Sequence, residues 1–568
     1  MRFNLKNHSN INFLWSSLLI EELYRHGIQH FFVAPGSRCA PLLSAVGHHK
    51  NITSFVHFDE RALAFMACGY AAGSGKPVVL ICTSGTAAAN FLPAIIEASK
   101  KKLPLIVITA DRPPELQKTG AAQTIEQPNI YGLYVRWSFE MPCPCIEIPP
   151  QFILTTVAQC LSQAKGLLNG PVHLNMMFRD PLYPVKVQKG LIEYGLPLNA
   201  WCVSGKPFTI YQPNEPKMTP LAVNDAIRRI GRIKKGLILA GKISSIQDQK
   251  SVLLFAEKTG FPVFADITSG LRLGCRHKNI IHYFDNLLAN RQPLPAFDGI
   301  IHFGGRMTSK QCYDAMAALK LNEYLMILGH PLRSDPLHMV TARYNLTPGI
   351  FTDAILPHIR QHAGSKALLS LKKSSNLELK KMNKAFAQDI LSEPGIAYLI
   401  SRLIPGNEGL FLSNSMPVRN MDRFASPDGD QVLIGTNRGA SGIDGIIASA
   451  AGFAEGIKRT TTLLIGDLAF LYDLNSLALL SSLTQKIIIV VINNNGGEIF
   501  LHLPIASDTK VFEKYFITPH GLSFAPMAAM FNLNYDSPFT ASNFKEMYLK
   551  ALQSKNSTII EIKLKRGK

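Results

Sequence analysis

Gly466-Asp467-Leu468 and, one apolar segment and one strand-like run later, Asn493-Asn494-Asn495-Gly496-Gly497 are the residues on which the reading of this chain turns. An acidic side chain ending one strand and an amide plus a glycine carbonyl ending the next can converge on one cation. Mg²⁺ takes about six oxygens in octahedral array and usually keeps phosphate oxygens among them. A site with so few protein ligands therefore implies a bound diphosphate. The same residues also suit a plainer reading, a turn aspartate and an asparagine-rich loop held by local hydrogen bonds, so the motif has to be weighed with the rest of the chain.

Working outward, residues 461–465 and 486–492 are short apolar runs of the kind buried in parallel sheets, and 410–413 and 558–562 add two more. They form an α/β unit beginning near Leu391. A second unit is marked by runs at 236–240, 262–265, 299–304 and 324–328, bounded by the Pro-rich segment 207–220 and the Lys/Ser-rich stretch 366–381. In the first unit, Ser9 or Asn10 can cap a helix in which Phe13, Leu14, Leu18, Leu19 and Leu23 recur at helical spacing, with Gly27 placed to stop it. Strands are predicted at 30–34, 52–56, 77–83 and 105–110, and helices at 60–74 and 86–100. Repeated βα units of this kind give doubly wound parallel sheets covered on both faces. Ligands in such sheets bind beyond the carboxyl ends of the strands.

A chain of 568 residues is too long for one core. No run approaches the ~18 apolar residues of a membrane span, and Met1-Arg2-Phe3-Asn4-Leu5-Lys6 has no apolar signal core; a soluble cytoplasmic protein with no integral membrane segment is expected. The nine cysteines are scattered, and Cys143-Pro144-Cys145 lacks zinc or redox spacing, so they read as reduced, mostly buried thiols. The net charge of +19 is dispersed, with no nucleic-acid motif, and suits polyanionic small substrates as well as any surface. No nucleic-acid partner is expected.

His57-Phe58-Asp59-Glu60-Arg61 follows the second predicted strand and opens a helix. The motif formed by Gly466-Asp467-Leu468 and residues 493–497 resembles the metal and diphosphate anchor of thiamine-diphosphate enzymes, and thiamine chemistry requires a carboxyl group that exchanges a proton with the aminopyrimidine ring near neutral pH; such a group needs partial burial. Glu60 is the candidate and Asp59 a weaker one. A helix-terminal acid favoured by the dipole is the alternative.

The strings PGSRCAP (35–41), HFDER (57–61), TSGTAAAN (83–90), TADRPPEL (109–116), GAAQTIEQ (120–127), TNRGASGIDG (436–445), GDL and NNNGG run in order over nearly the whole chain. With them the chain resembles the menaquinone-pathway family of 2-succinyl-5-enolpyruvyl-6-hydroxy-3-cyclohexene-1-carboxylate synthases. The resemblance implies three doubly wound parallel-sheet α/β domains of the thiamine-diphosphate-binding type: 1–195 binding the pyrimidine, 196–365 central, 366–568 binding the diphosphate and metal. It implies Glu60 as the catalytic group on the cofactor, and Asp467, Asn494 and the Gly496 carbonyl as ligands of Mg²⁺ or Mn²⁺. Ile443 would be the apolar buttress under thiamine diphosphate. Ser37, Arg38, Arg112, Gln123, Lys310, Ser415, Arg419 and Arg438 would line a cavity for 2-oxoglutarate and isochorismate. A homodimer or homotetramer is implied, with the active site formed between the first domain of one subunit and the third of another.

That cation set also makes sense physically. A 2-oxo diacid and a cyclic dicarboxylate bring four carboxylates together, and arginine recognises each in bidentate fashion. Two residues depart from the family pattern: Ala122, where asparagine is common, and Ala469, where serine is usual. Rival readings are another thiamine-diphosphate 2-oxoacid decarboxylase or acetolactate-synthase-like enzyme, which would not require the arginine set, and a non-catalytic binding or assembly homologue. A nicotinamide dehydrogenase is disfavoured, because no early glycine-rich fingerprint follows a strand.

Overall fold

The computed structural model describes residues 3–5, 8–184, 188–212, 216–362 and 364–564. Met1, Arg2 and Lys6 of the amino-terminal stretch and 213–215 of the Pro-rich segment lie outside them. The chain divides into two compact units: residues 1–213 with 437–458 and 471–485, and residues 214–436 with 459–470 and 486–568.

The first unit is built on a six-stranded sheet of β1 (His30–Val33), β2 (Thr53–Val56), β3 (Val78–Cys82), β4 (Leu105–Asp111), β5 (Ser138–Met141) and β6 (Val172–Met177), in the order β2-β1-β3-β4-β6-β5. Every pairing is parallel. All residues of β3 and β4 are buried, as continuous apolar runs require, whereas edge strand β2 is largely exposed. Sequence periodicity missed β6 because its buried face carries His173 and Asn175. Both are satisfied by the Thr109 hydroxyl, at 2.7 and 2.9 Å, and burial pushes the His173 imidazole down to about 3. The single helix expected over 86–100 is two, Thr86–Asn90 and Leu92–Lys101; Pro93, near the start of the second, has no N–H to continue the first.

The helix Glu60–Ser74 crosses the helix Ile446–Ile457 at backbone contact. A Cβ on Gly69 would lie 2.0 Å from the Ser449 carbonyl oxygen, and one on Gly452 1.9 Å from that of Met66. The Ser449 hydroxyl donates to the Phe65 carbonyl (3.1 Å) across the crossing. Glycine is thus what lets these helices meet, and the crossing holds Glu60's helix to the segment that carries Arg438 and Ile443.

The second unit contains two sheets. One has β7 (Gly236–Ala240), β8 (Val263–Ala265), β9 (Gly299–Phe303), β10 (Glu323–Ile327) and β11 (Ala342–Tyr344), ordered β11-β10-β9-β7-β8. The other has β12 (Gly409–Leu412), β13 (Leu433–Thr436), β14 (Thr461–Gly466), β15 (Ile487–Asn493), β16 (Asn534–Asp536) and β17 (Thr558–Lys563), ordered β13-β12-β14-β15-β17-β16. Both are parallel throughout. The Lys/Ser-rich boundary stretch is itself the helix Lys366–Ala385, capped by Ser365, with Leu368, Leu371, Ser375, Glu378 and Met382 buried at three- and four-residue spacing. All nine cysteines are free thiols, most of them buried. No helix among the described residues is long and apolar enough to cross a membrane.

Gly452→Ala is expected to destabilise the protein by about 1–3 kcal/mol through overpacking, read as an earlier denaturation midpoint. Gly47→Ala, in the helix Ala40–His48 where a Cβ would meet nothing within 4 Å, should leave stability unchanged or raise it by up to about 1 kcal/mol.

Candidate active site

In the first unit the carboxyl ends of β1, β2, β3 and β4 lie side by side, and each is followed by one of the motifs. After β1, the loop places Ser37 and a buried Arg38 whose guanidinium donates to the Phe178 carbonyl (2.9 Å) and lies 3.8 Å from Asp180. Among the described residues its buried Nε has no hydrogen-bond partner. Gly36 brings this turn against Thr83, whose Cβ would stand 2.4 Å from a Cβ at that position. After β4, Arg112 donates to the Ser84 hydroxyl, and the Gln123 amide donates to the Ser84 carbonyl at 3.0 Å. Burial first, then the like charge of Arg38, lowers the pKa of Arg112, against the pull of Asp111 and Asp180. Arg38 and Arg112 therefore share one electrostatic environment. Beneath them a buried amide ladder fixes the loops: Gln127 accepts from the Gly85 N–H (3.1 Å) and donates to Asn175 (2.7 Å), and Asn175 donates to Asp111 (3.0 Å) and Glu140 (2.6 Å).

After β2, Asp59 and Glu60 separate by role. Asp59 is the N-cap, its carboxylate accepting the Ala62 N–H at 3.1 Å. Glu60 is half-buried and, among the described residues, its carboxylate has no hydrogen bond or ion pair. Its charge is felt at Cys82, the last residue of β3, whose thiol is pushed well up by burial first, then by Cys39 and Glu60. Glu60 thus lies within electrostatic reach of the end of β3, with both oxygens uncommitted among the described residues.

The loop 437–445 of the same unit carries Arg438 and Ile443, the latter 39% exposed. A buried carboxylate absent from the sequence reading anchors it: Glu97 accepts the N–H groups of Gly439 (2.8 Å) and Ala440 (2.6 Å). Asn437 donates to Ser449 at 2.8 Å, which ties the loop to the glycine crossing.

In the second unit, β12, β14 and β15 are neighbours, and their carboxyl ends carry Ser415, Asp467 and Asn494. Asp467 is buried; Oδ1 accepts the Leu468 N–H (2.7 Å), while Oδ2 accepts the Gly496 N–H (2.9 Å) and lies 3.2 Å from His520 Nε2. The Gly496 backbone is thereby held against the carboxylate. With φ of 140° and a would-be Cβ 2.3 Å from the Ile517 oxygen, position 496 admits only glycine. Asn494 is buried, and among the described residues its Oδ1 has no hydrogen-bond partner. Its Nδ2 donates to Glu393 (2.7 Å), whose other oxygen accepts from Asn420 (2.9 Å). Burial raises the Glu393 pKa, opposed by the Asn494 donor.

A carboxylate, a bare amide oxygen and an adjacent glycine backbone fit a hard divalent cation. No group of three His, Cys, Asp or Glu side chains among the described residues makes a metal site, so a cation here would draw further oxygens from a ligand such as a diphosphate.

Ser415 adopts φ of 69° at the start of the helix Met416–Phe424, and Arg419 folds back to donate to its carbonyl at 2.6 Å. The pKa of Arg419 is lowered by burial and then by Arg306, a cation the sequence reading left out. Lys310 stands at the surface, 84% exposed and 2.8 Å from Asp314. Ala469 is buried in the short helix after Asp467, and Ala122 is exposed beside Gln123. Glu393, Asn420 and His520 carried no sequence signal, because they lie far along the chain from the residues they support.

Residues 15–130 match the thiamine pyrophosphate enzyme N-terminal TPP binding domain, and 192–412 match the middle domain of thiamine pyrophosphate enzymes. The chain is 42% identical to the 2-succinyl-5-enolpyruvyl-6-hydroxy-3-cyclohexene-1-carboxylate synthase of Rubrobacter xylanophilus, covering 97% of this chain and 95% of that one. It is 41% identical to the protein of the same name from Prosthecochloris aestuarii, covering 99% and 96%. Among solved structures, benzoylformate decarboxylase from Polynucleobacter necessarius superposes with a TM-score of 0.75 at 16% identity, covering 97% and 98% of the two chains. A thiamine diphosphate-dependent 4-hydroxybenzoylformate decarboxylase from Rhodococcus jostii gives 0.72 at 16%, covering 97% and 99%. These two share the fold. The chain belongs to the thiamine-diphosphate-dependent family of 2-succinyl-5-enolpyruvyl-6-hydroxy-3-cyclohexene-1-carboxylate synthases.

Proposed function

We propose that this protein is a cytoplasmic carboligase that decarboxylates 2-oxoglutarate and joins the succinyl unit to isochorismate by 1,4-addition, making 2-succinyl-5-enolpyruvyl-6-hydroxy-3-cyclohexene-1-carboxylate for menaquinone biosynthesis. Bound thiamine diphosphate supplies the electron sink that makes loss of CO₂ from a 2-oxo acid feasible. The protein supplies position, charge and protons. Asp467, Asn494 Oδ1 and the Gly496 carbonyl hold Mg²⁺, or Mn²⁺ in its place, and so fix the diphosphate. Glu60 exchanges a proton at the aminopyrimidine ring, and Ile443 supports the cofactor from its apolar side. Arg38 and Arg112, with Ser37 and Gln123, and Arg419 and Arg438, with Ser415 and Lys310, bind the substrate carboxylates. The working assembly is a homodimer or a homotetramer.

One observation carries this reading: in a chain of this family, the amide oxygen of Asn494 is buried and, among the described residues, without a partner, two residues before the Gly496 whose N–H the Asp467 carboxylate accepts at 2.9 Å. Such an oxygen costs about 1–3 kcal/mol unless something positive meets it. The uncommitted carboxylate of Glu60 supports the catalytic half.

Glu60→Gln is expected to lower kcat by about 10²–10⁴-fold while thiamine diphosphate affinity, measured by calorimetry, changes little. Asp467→Ala is expected to weaken cofactor binding by at least about 10–100-fold, and excess chelator should do the same to the wild type. CO₂ release should be faster with 2-oxoglutarate than with pyruvate, and isochorismate absorbance should fall only when both substrates are present. Preference for pyruvate would favour an acetolactate-synthase-like enzyme, and no CO₂ release with either acid a non-catalytic homologue.

A further inference from the structure

An asparagine amide is a planar group with an acceptor at one end and a donor at the other, and rotation by half a turn exchanges them at little steric cost. A metal ligand of this kind therefore needs something that tells oxygen from nitrogen. At Asn494 the discriminating neighbour is Glu393. An ionised carboxylate only accepts, so the 2.7 Å contact from Nδ2 to Oε1 commits the nitrogen to Glu393 and turns Oδ1 the other way. That oxygen is the one left buried with no partner.

Glu393 acts on a second amide in the same manner. Its Oε2 accepts from Asn420 Nδ2 at 2.9 Å. Asn420 directly follows Arg419 in the helix Met416–Phe424, so one carboxylate joins the cation loop after β15 to the helix that carries Ser415 and Arg419. Glu393 opens the helix Glu393–Leu403, whose N-cap Ser392 accepts the Gly395 N–H at 3.1 Å. Capping is thus done by Ser392, and the Glu393 side chain is free for the two asparagines.

We propose that Glu393 is the positioning residue of the cation site: by accepting from Asn494 and Asn420 it orients the Asn494 oxygen toward the metal and couples the metal loop to the Arg419 helix. This rests on the reading of Asp467, Asn494 and Gly496 as Mg²⁺ ligands given above.

The test is calorimetric titration of the full-length protein with Mg²⁺ at fixed thiamine diphosphate. E393A is expected to raise the half-saturating Mg²⁺ concentration by about 10–100-fold, the usual effect of losing a partner of a metal ligand. E393Q keeps one acceptor oxygen and should recover a substantial part of that loss. In the N494A background, E393A should add less than about twofold, because the two residues act through one oxygen. Thermal unfolding of each variant without cofactor reports folding separately. Wild-type Mg²⁺ dependence in a folded E393A, or a full and independent loss added by E393A to N494A, overturns the positioning role while leaving the ligand reading intact. Wild-type Mg²⁺ dependence in N494A overturns the ligand reading itself, and the role of Glu393 with it.

Discussion

A carbonyl oxygen buried without a donor is the condition around which the second unit is arranged. Asn494 carries it at the carboxyl end of β15, and its neighbours in the asparagine run are spent on holding it there. Asn493 donates to Glu561 (2.6 Å) and to the Leu522 carbonyl (3.0 Å), while Asn495 accepts the N–H groups of His520 (2.9 Å) and Gly521 (2.7 Å). Three identical residues thus do different work: the outer two fasten the loop to 520–522 and to β17, and the middle one keeps its oxygen bare. Parallel topology makes this possible, because β12, β14 and β15 are adjacent and all end on the same side.

The first unit solves a related problem with polar groups inside a sheet. Asp111, Glu140, His173, Asn175 and Gln127 would each be costly in an apolar layer. Linked through Asn175, and through Thr109 to His173, they satisfy one another, and the ladder ends on the Gly85 N–H, next to Ser84, to which Arg112 and Gln123 are hydrogen-bonded. A fully paired network is rigid, which suits loops that must hold a buried arginine in place. The Glu97 clamp on Gly439 and Ala440 follows the same logic for the loop bearing Arg438 and Ile443.

How much of this was legible in sequence depended on whether the signal was local. The strands β3, β4, β14 and β15 announce themselves because every residue is apolar or nearly so. β5, β6, β13 and β16 do not: β5, β13 and β16 carry exposed or half-exposed positions, and β6 hides His173 and Asn175 in its core side. Asp467, Asn494 and Gly496 are readable from a strand-helix-strand spacing; in the structure the Gly496 N–H meets the Asp467 carboxylate, while the Asn494 amide is held by Glu393. Asp59 and Glu60 are adjacent and chemically alike, so only the capping contact of Asp59 distinguishes them. Glu393 and Glu97 lie far in sequence from the loops they hold, and no periodicity connects a helix-initial glutamate to an asparagine a hundred residues later.

The arginines extend the same argument to charge. After burial, the like charge of Arg38 lowers the pKa of Arg112, and that of Arg306 lowers the pKa of Arg419. Like charges brought together under partial burial oppose folding, and a net charge of +19 gives no general relief from that repulsion. Anionic ligands would reverse the sign of the interaction, since a carboxylate set between two guanidiniums is attracted to both and hydrogen-bonds to each. The proposed substrates carry more than one carboxylate, so they suit a set of several such cations better than pyruvate, which brings a single one; a cluster of like charges that opposes folding would in this way favour diacids over monoacids.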